Sequence, residues 1–183
     1  MKKWMLIIVG ISISTGVFSA GFQASLMPEI VIQDRDTEIN GVSIGVWNEN
    51  PSPKFQWQFG FVNGTTGDSV GVQWLFILPT FYNYAENFTG FQSGWVNNTS
   101  GNFIGWQDGF VNITFGEFTG FQSGIFNYAG TMTGLQLGFV NWTKIGKNCC
   151  QVGIVNVIED NKWFSDFPSD LAQGMVIVNW SFK

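Results

Sequence analysis

A short phrase recurs along most of this chain and restricts its fold more than any other feature. Each copy has the form G-φ-Q-x-G-φ-φ-N, in which φ is apolar, as in Gly120-Phe-Gln-Ser-Gly-Ile-Phe-Asn127. The copies, some of them weak or degenerate, close at positions 48, 63, 78, 97, 112, 127, 141, 156 and 179, so the spacings are 15, 15, 19, 15, 15, 14, 15 and 23. A nearly fixed period indicates that each repeat is one structural unit.

The pattern inside one repeat predicts a strand. In the copy around Gln122, the residues Phe118, Gly120 and Gln122 alternate with Thr119 and Phe121, so the two sets point to opposite faces. Asn and Gly then supply turn chemistry. The repeat therefore predicts a strand of roughly nine or ten residues plus a turn of about five, and an all-β chain of about ten strands.

An antiparallel meander closed into a β-barrel is the favoured architecture. The phrase is nearly palindromic about its Gln, so antiparallel neighbours would all pair alike. The Gly-Gln-Gly side is small and polar, as in the inside of a narrow barrel, and the other side is apolar, as in Trp57-Gln-Phe59-Gly-Phe61. In this arrangement Gly120 lies opposite Gly109 and Gly138.

The alternative is a parallel β-solenoid with one level per repeat, in which Gly120 stacks on Gly105 and Gly134. Both architectures have a difficulty. The apolar stripe covers three outward positions, about 10–14 Å, against the ~25 Å band of a membrane barrel. Ser93, Asp108 and Ser123 also interrupt the apolar side.

The N-terminus predicts export. Lys2 and Lys3 precede an apolar stretch that ends at Val17, and small residues follow, so residues 1–20 are predicted to be a signal peptide cleaved after Ala20 or Gly21. Residues 21–183 are predicted to form a single β-repeat domain. Without the two N-terminal lysines, 6 basic and 13 acidic residues remain, a net charge of −7, which argues against nucleic acid as a partner.

No catalytic, cofactor-binding or metal-ligating residues are predicted. The chain has no His, its two cysteines are adjacent, and it carries no nucleophile elbow or phosphate loop. The candidate binding residues are the tryptophans that recur on the apolar side, where they could stack on sugars, pack together or contact lipid. They are Trp57, Trp74, Trp95 and Trp106.

The repeat resembles the Leptospira-type surface repeat-containing protein family, as do the opening segment from Gln23 to Ile30 and the closing segment from Val176 to Phe182. The resemblance implies an exported or surface location and no known activity. Ser93, Asp108 and Ser123 depart from that family's pattern, in which those positions are usually aliphatic.

We therefore expect a non-catalytic, exported surface or outer-membrane structural protein without cofactors. The alternative is a soluble β-solenoid adhesin or glycan-binding surface module. The expected partners of the protein are outer-membrane or cell-surface components, or a glycan or host ligand. The sequence leaves the oligomeric state open.

Overall fold

The computed structural model describes residues 20–34, 37–51, 55–75 and 80–183. About 80% of these residues lie in strands and none in a helix, which confirms the all-β prediction. Apart from Ala20, the predicted signal peptide lies outside the described residues. No helix in the described ranges has the length and apolar character needed to cross a membrane.

Nine strands make up the described part of the chain. They are β1 (Ala20–Met27), β2 (Ile30–Val31), β3 (Ile39–Asn50), β4 (Gln56–Thr65), β5 (Asp68–Trp74), β6 (Thr80–Ala85), β7 (Asn87–Thr99), β8 (Phe103–Ile158) and β9 (Gly174–Phe182).

Successive repeats lie on one another in parallel, in the register that the repeat predicts for a solenoid. Strand β3 pairs with β4, β4 with both β5 and β6, and these two with β7. Between β7 and β8, Gly90 lies beside Gly105 and Asn97 beside Asn112. The long strand β8 then winds through four successive levels. The chain is therefore a parallel β-solenoid, and the prediction of an antiparallel barrel is wrong.

The glycines distinguish the two architectures directly. A Cβ built on Gly120 would lie 1.9 Å from the carbonyl oxygen of Gly105, and one built on Gly134 would lie 2.1 Å from that of Gly120. From Gly71 to Gly134, the first glycine of each repeat thus stacks on the first glycine of the next, as the solenoid alternative requires. The barrel prediction was based on the palindromic phrase. That phrase does not distinguish the two architectures, because Gln122 neighbours Gln107 and Gln136 in both.

The solenoid arises because the repeat turns corners instead of running straight. Within one level, neither Phe110 nor Val111 is buried although they are consecutive, and Asn112 is fully buried. This break in alternation moves the chain to a second face of the solenoid. The residues of each repeat that were predicted to form a turn of about five residues instead form strand on that second face. One repeat therefore completes one level.

Buried amide side chains form two continuous columns through the interior. In the asparagine column each Nδ2 donates to the Oδ1 of the next level, at 2.7–3.2 Å. In the glutamine column each Nε2 donates to the Oε1 of the preceding level, at 2.6–2.9 Å. The bonds satisfy polar groups that would otherwise be costly to bury. The asparagines are Asn48, Asn63, Asn83, Asn97, Asn112, Asn127, Asn141 and Asn156, and the glutamines are Gln58, Gln73, Gln92, Gln107, Gln122, Gln136 and Gln151.

The degenerate repeat predicted to close at Leu78 closes elsewhere. Residues 76–79 lie outside the described ranges, and the place in the asparagine column belongs to Asn83 on β6, which accepts from Asn63 and donates to Asn97. The extra residues lie between β5 and β6, so Asn63 and Asn83 are 20 residues apart in the column, whereas Asn83 and Asn97 are 14 apart. Leu78 therefore does not close a repeat.

The apolar part of the core is a narrow column beside the amides. The rings of Phe88, Phe103 and Phe118 stack with centroids 5.7 and 5.2 Å apart. Met132 is also fully buried and belongs to the same cluster. Most of the remaining large apolar side chains consequently lie on the outside.

Strand β9 closes the C-terminal end. It pairs antiparallel with the last level of β8, with Asn179 beside Gln151, so the copy predicted to close at Asn179 is not a further parallel level. Lys183 forms ion pairs with the buried Asp170 at 2.8 Å and with Asp160 at 3.1 Å. This cap covers the edge that the last level would otherwise expose.

Candidate binding face

Three outward positions in each level build a flat apolar surface, which we call the aromatic face. The first position follows the first glycine of the repeat, which Gln56 and Cys149 replace in two levels, and the other two positions lie two and four places further on, except that Phe81 on β6 supplies the third position in the level of β5. Parallel stacking places each residue above its counterpart. The first column is Val42, Trp57, Val72, Phe91, Trp106, Phe121, Leu135 and Cys150; the second is Ile44, Phe59, Trp74, Ser93, Asp108, Ser123, Leu137 and Val152; the third is Val46, Phe61, Phe81, Trp95, Phe110, Ile125, Phe139 and Ile154.

All four tryptophans predicted from the sequence lie on the aromatic face. Trp57 and Trp106 belong to the first column, Trp74 to the second and Trp95 to the third. The rings of Trp74, Trp95 and Trp106 contact aromatic neighbours on adjacent levels; the centroids of Trp106 and Phe91, for example, are 5.2 Å apart. Trp57 contacts Phe59 on its own strand. Packing explains part of their role, but Trp57, Trp95 and Trp106 remain 42–47% exposed.

The aromatic face is extended. With neighbouring strands ~4.8 Å apart, eight levels extend over about 34 Å, and three outward positions span about 13 Å, so the face covers roughly 440 Å². This area is in the range of the largest apolar patch on a typical monomer, about 300–600 Å², and such patches are often functional. The face is therefore a candidate binding surface.

A polar cluster interrupts the middle of this face. Ser93, Asp108 and Ser123 occupy the second column on three successive levels. The hydroxyl of Ser123 donates to Oδ1 of Asp108 at 2.5 Å, and the indole Nε1–H of Trp106 donates to the Ser123 hydroxyl at 3.2 Å. The sequence showed these residues as interruptions of the apolar side. Their equivalent places in three consecutive repeats were the signal of a site.

The cluster borders a shallow cleft of about 340 Å³, with polar and aromatic walls. Among the described residues, Asp108 has no ion-pair partner, and it is the one charged side chain in the three columns. The cleft thus offers the carboxylate of Asp108 and the hydroxyl of Ser93 beside two aromatic rings, a set suited to binding. Its lining residues are Ser93, Gly94, Trp95, Asp108, Gly109 and Phe110.

The two adjacent cysteines point to different sides of the last level. Both are free; Cys149 is buried, and Cys150 is half-buried in the first column of the aromatic face. Burial raises the pKa of the Cys149 thiol to about 12 and also raises the pKa of Cys150. Both thiols are therefore protonated near neutral pH and are weak nucleophiles.

Fold and site together define the class: a parallel β-solenoid with an amide-filled interior and an aromatic outer face. Comparisons with protein-family models, curated proteins and solved structures found no significant match to this chain. The resemblance to the Leptospira-type surface repeat family therefore stays a prediction.

Proposed function

We propose that the protein is a non-catalytic, exported surface module that binds carbohydrate on its aromatic face. The observation that carries the proposal is the Ser93–Asp108–Ser123 cluster in the middle of that face. A lone carboxylate beside two hydroxyls supplies hydrogen-bonding groups, but the described residues of the three columns include no second carboxylate for acid–base chemistry.

A sugar matches this combination of surfaces. The C–H side of a pyranose ring is apolar and stacks on Trp or Phe, while its hydroxyl groups radiate from the edge. Trp95 and Phe110 border the cleft and are 44% and 53% exposed, so their rings are accessible for stacking. Hydroxyls of the sugar would donate to the Asp108 carboxylate, forming charge-assisted hydrogen bonds that are stronger than neutral ones.

The same cluster argues against a purely apolar partner. Covering Asp108 with lipid chains would desolvate a carboxylate whose described partner is the single hydroxyl of Ser123, which is strongly unfavourable. A second copy packed face to face through a twofold axis near the cleft would bring two such carboxylates together. A polyhydroxylated ligand avoids both costs because it brings its own donors.

We expect Trp106→Ala to weaken glycan binding by at least about tenfold, since tryptophans in the centre of a contact surface contribute most of its affinity. The protein would first be screened on a glycan array, and the best ligand would then be titrated by calorimetry. Trp142→Ala is the matched control, because Trp142 is 40% exposed and lies outside the three columns. Equal losses of glycan affinity in both variants would show that the aromatic face is not the binding site. A wild-type protein that binds no glycan would refute the proposal.

Export is the second part of the proposal and is supported by the signal-peptide pattern of residues 1–20. We expect the protein recovered from its native cells to begin at Gly21 or Phe22 and to be found with the cell envelope. Mass spectrometry of the intact protein measures this. An uncleaved chain starting at Met1 in the cytosolic fraction would contradict it.

A further inference from the structure

We infer that the cleft at Asp108 prefers a sugar carrying a free ammonium group, and that it discriminates against acidic sugars. This inference rests on the proposed function, because it names the chemistry of the sugar that the same site takes. It follows from the charge of the cleft, the aromatic rings on its two sides and the way the carboxylate is held.

The charge of the cleft is uncompensated. Asp108 is the one acidic residue in the three columns, which contain no basic residue. The ion pairs found among the described residues all lie elsewhere. The whole chain also has a formal net charge of −5. A carboxylate on the ligand would meet like charge at the centre of the site, whereas an ammonium would meet its counter-ion.

Aromatic rings flank the carboxylate on both sides. Trp106 lies two residues before Asp108 and packs between Phe91 and Phe121, with ring centroids at 5.2 and 5.6 Å. On the other side, Phe110 packs against Trp95 at 5.9 Å. Ring faces next to a carboxylate favour a cation, because the ring quadrupole attracts positive charge that the carboxylate also neutralises.

The carboxylate is held in place but not fully used. The hydrogen bonds from Trp106 to Ser123 and from Ser123 to Oδ1 of Asp108 link three side chains into one chain. No described residue donates a hydrogen bond to Oδ2 of Asp108. A preorganised acceptor with one free oxygen suits an N⁺–H donor, and an acetylated amine loses that charge and two of its donors.

The test uses three oligosaccharides of equal length: a glucosamine oligomer, its fully N-acetylated counterpart and an oligomer of uronic acid. At pH 6 and moderate salt we expect the wild-type protein to bind the amine form about tenfold more tightly than the acetylated form. The uronic acid oligomer should not bind measurably. Asp108→Asn should bring the two glucosamine forms to within about twofold of each other.

The control is Asp166→Asn, which removes the same charge from the exposed loop after β8, where Asp166 pairs with Lys162. It should keep the amine preference. Equal binding of both glucosamine forms to the wild-type protein would overturn this inference and leave the proposed function standing. An amine preference that Asp108→Asn does not reduce would reveal general attraction to an acidic chain and would also overturn it. If none of the three oligomers binds and the glycan array is also blank, the proposed function fails as well.

Discussion

Gly120→Ala is expected to cause one of the largest losses of stability among conservative substitutions in the solenoid, about 4 kcal/mol or more in the free energy of unfolding. Gly120 has φ 138°, and the atoms nearest to an added Cβ are the carbonyl oxygen, carbonyl carbon and amide nitrogen of Gly105, at 1.9, 2.9 and 3.1 Å. All three are backbone atoms, so no side chain can rotate away. Two levels would have to separate to admit one methyl group.

The matched control is Gly174→Ala, because a Cβ on Gly174 would have no heavy atom within 4 Å. Urea unfolding followed by circular dichroism measures both variants. Similar midpoints for the two would contradict the parallel stacking of glycines. The experiment therefore also tests the solenoid against the antiparallel pairing that the sequence favoured, in which Gly120 would face a different glycine.

Asn97→Ala is expected to lower the free energy of unfolding by about 3 kcal/mol, and the melting temperature by roughly 6–12 °C. The Asn97 side chain accepts from Asn83 and donates to Oδ1 of Asn112 and to the carbonyl of Asp108, at 2.7, 2.7 and 2.8 Å. Alanine leaves three partners unsatisfied in a fully buried column. The cost of an unmet buried polar group exceeds the net gain from an ordinary hydrogen bond.

The adjacent Asn98 provides an internal control. Its side chain is only half-buried and donates to the hydroxyl of Tyr82 at 3.0 Å, on the outside of the solenoid. Asn98→Ala should therefore cost about 1 kcal/mol or less. Thermal unfolding of the two variants compares neighbouring asparagines, of which one points into the interior of the solenoid and the other to its outside. Equal shifts in melting temperature would argue against an asparagine column.

The repeat predicted strand content, period and the division into a polar and an apolar side, because alternation and turn chemistry are local properties. It did not predict the direction of pairing. The palindrome around Gln122 permits either direction, and the choice depends on corners such as that at Phe110 and Val111, which strand periodicity does not reveal. The positions predicted for Leu78 and Asn179 were wrong because inserted residues moved one level's asparagine to Asn83 and turned the last segment into a cap.

For the site, the sequence identified the four tryptophans and showed Ser93, Asp108 and Ser123 as exceptions to the apolar pattern. It did not predict that the tryptophans and these polar residues form one accessible binding face. In an antiparallel barrel, an outward Asp108 is a cost in lipid, whereas in the solenoid it stands in the middle of an accessible surface. The same residue changes from a defect to a candidate ligand-binding group once the levels stack in parallel.

The two amide columns have a consequence for how such a molecule tolerates changes in length. Each asparagine amide points its N–H toward the C-terminal end, and each glutamine amide points its N–H toward the N-terminal end. Their dipoles oppose each other level by level, unlike those of an α-helix, whose peptide dipoles add along the axis. A solenoid of this design can gain or lose a repeat with little change in the electrostatic potential at its ends, so the number of levels is free to vary with the length of the surface to be presented.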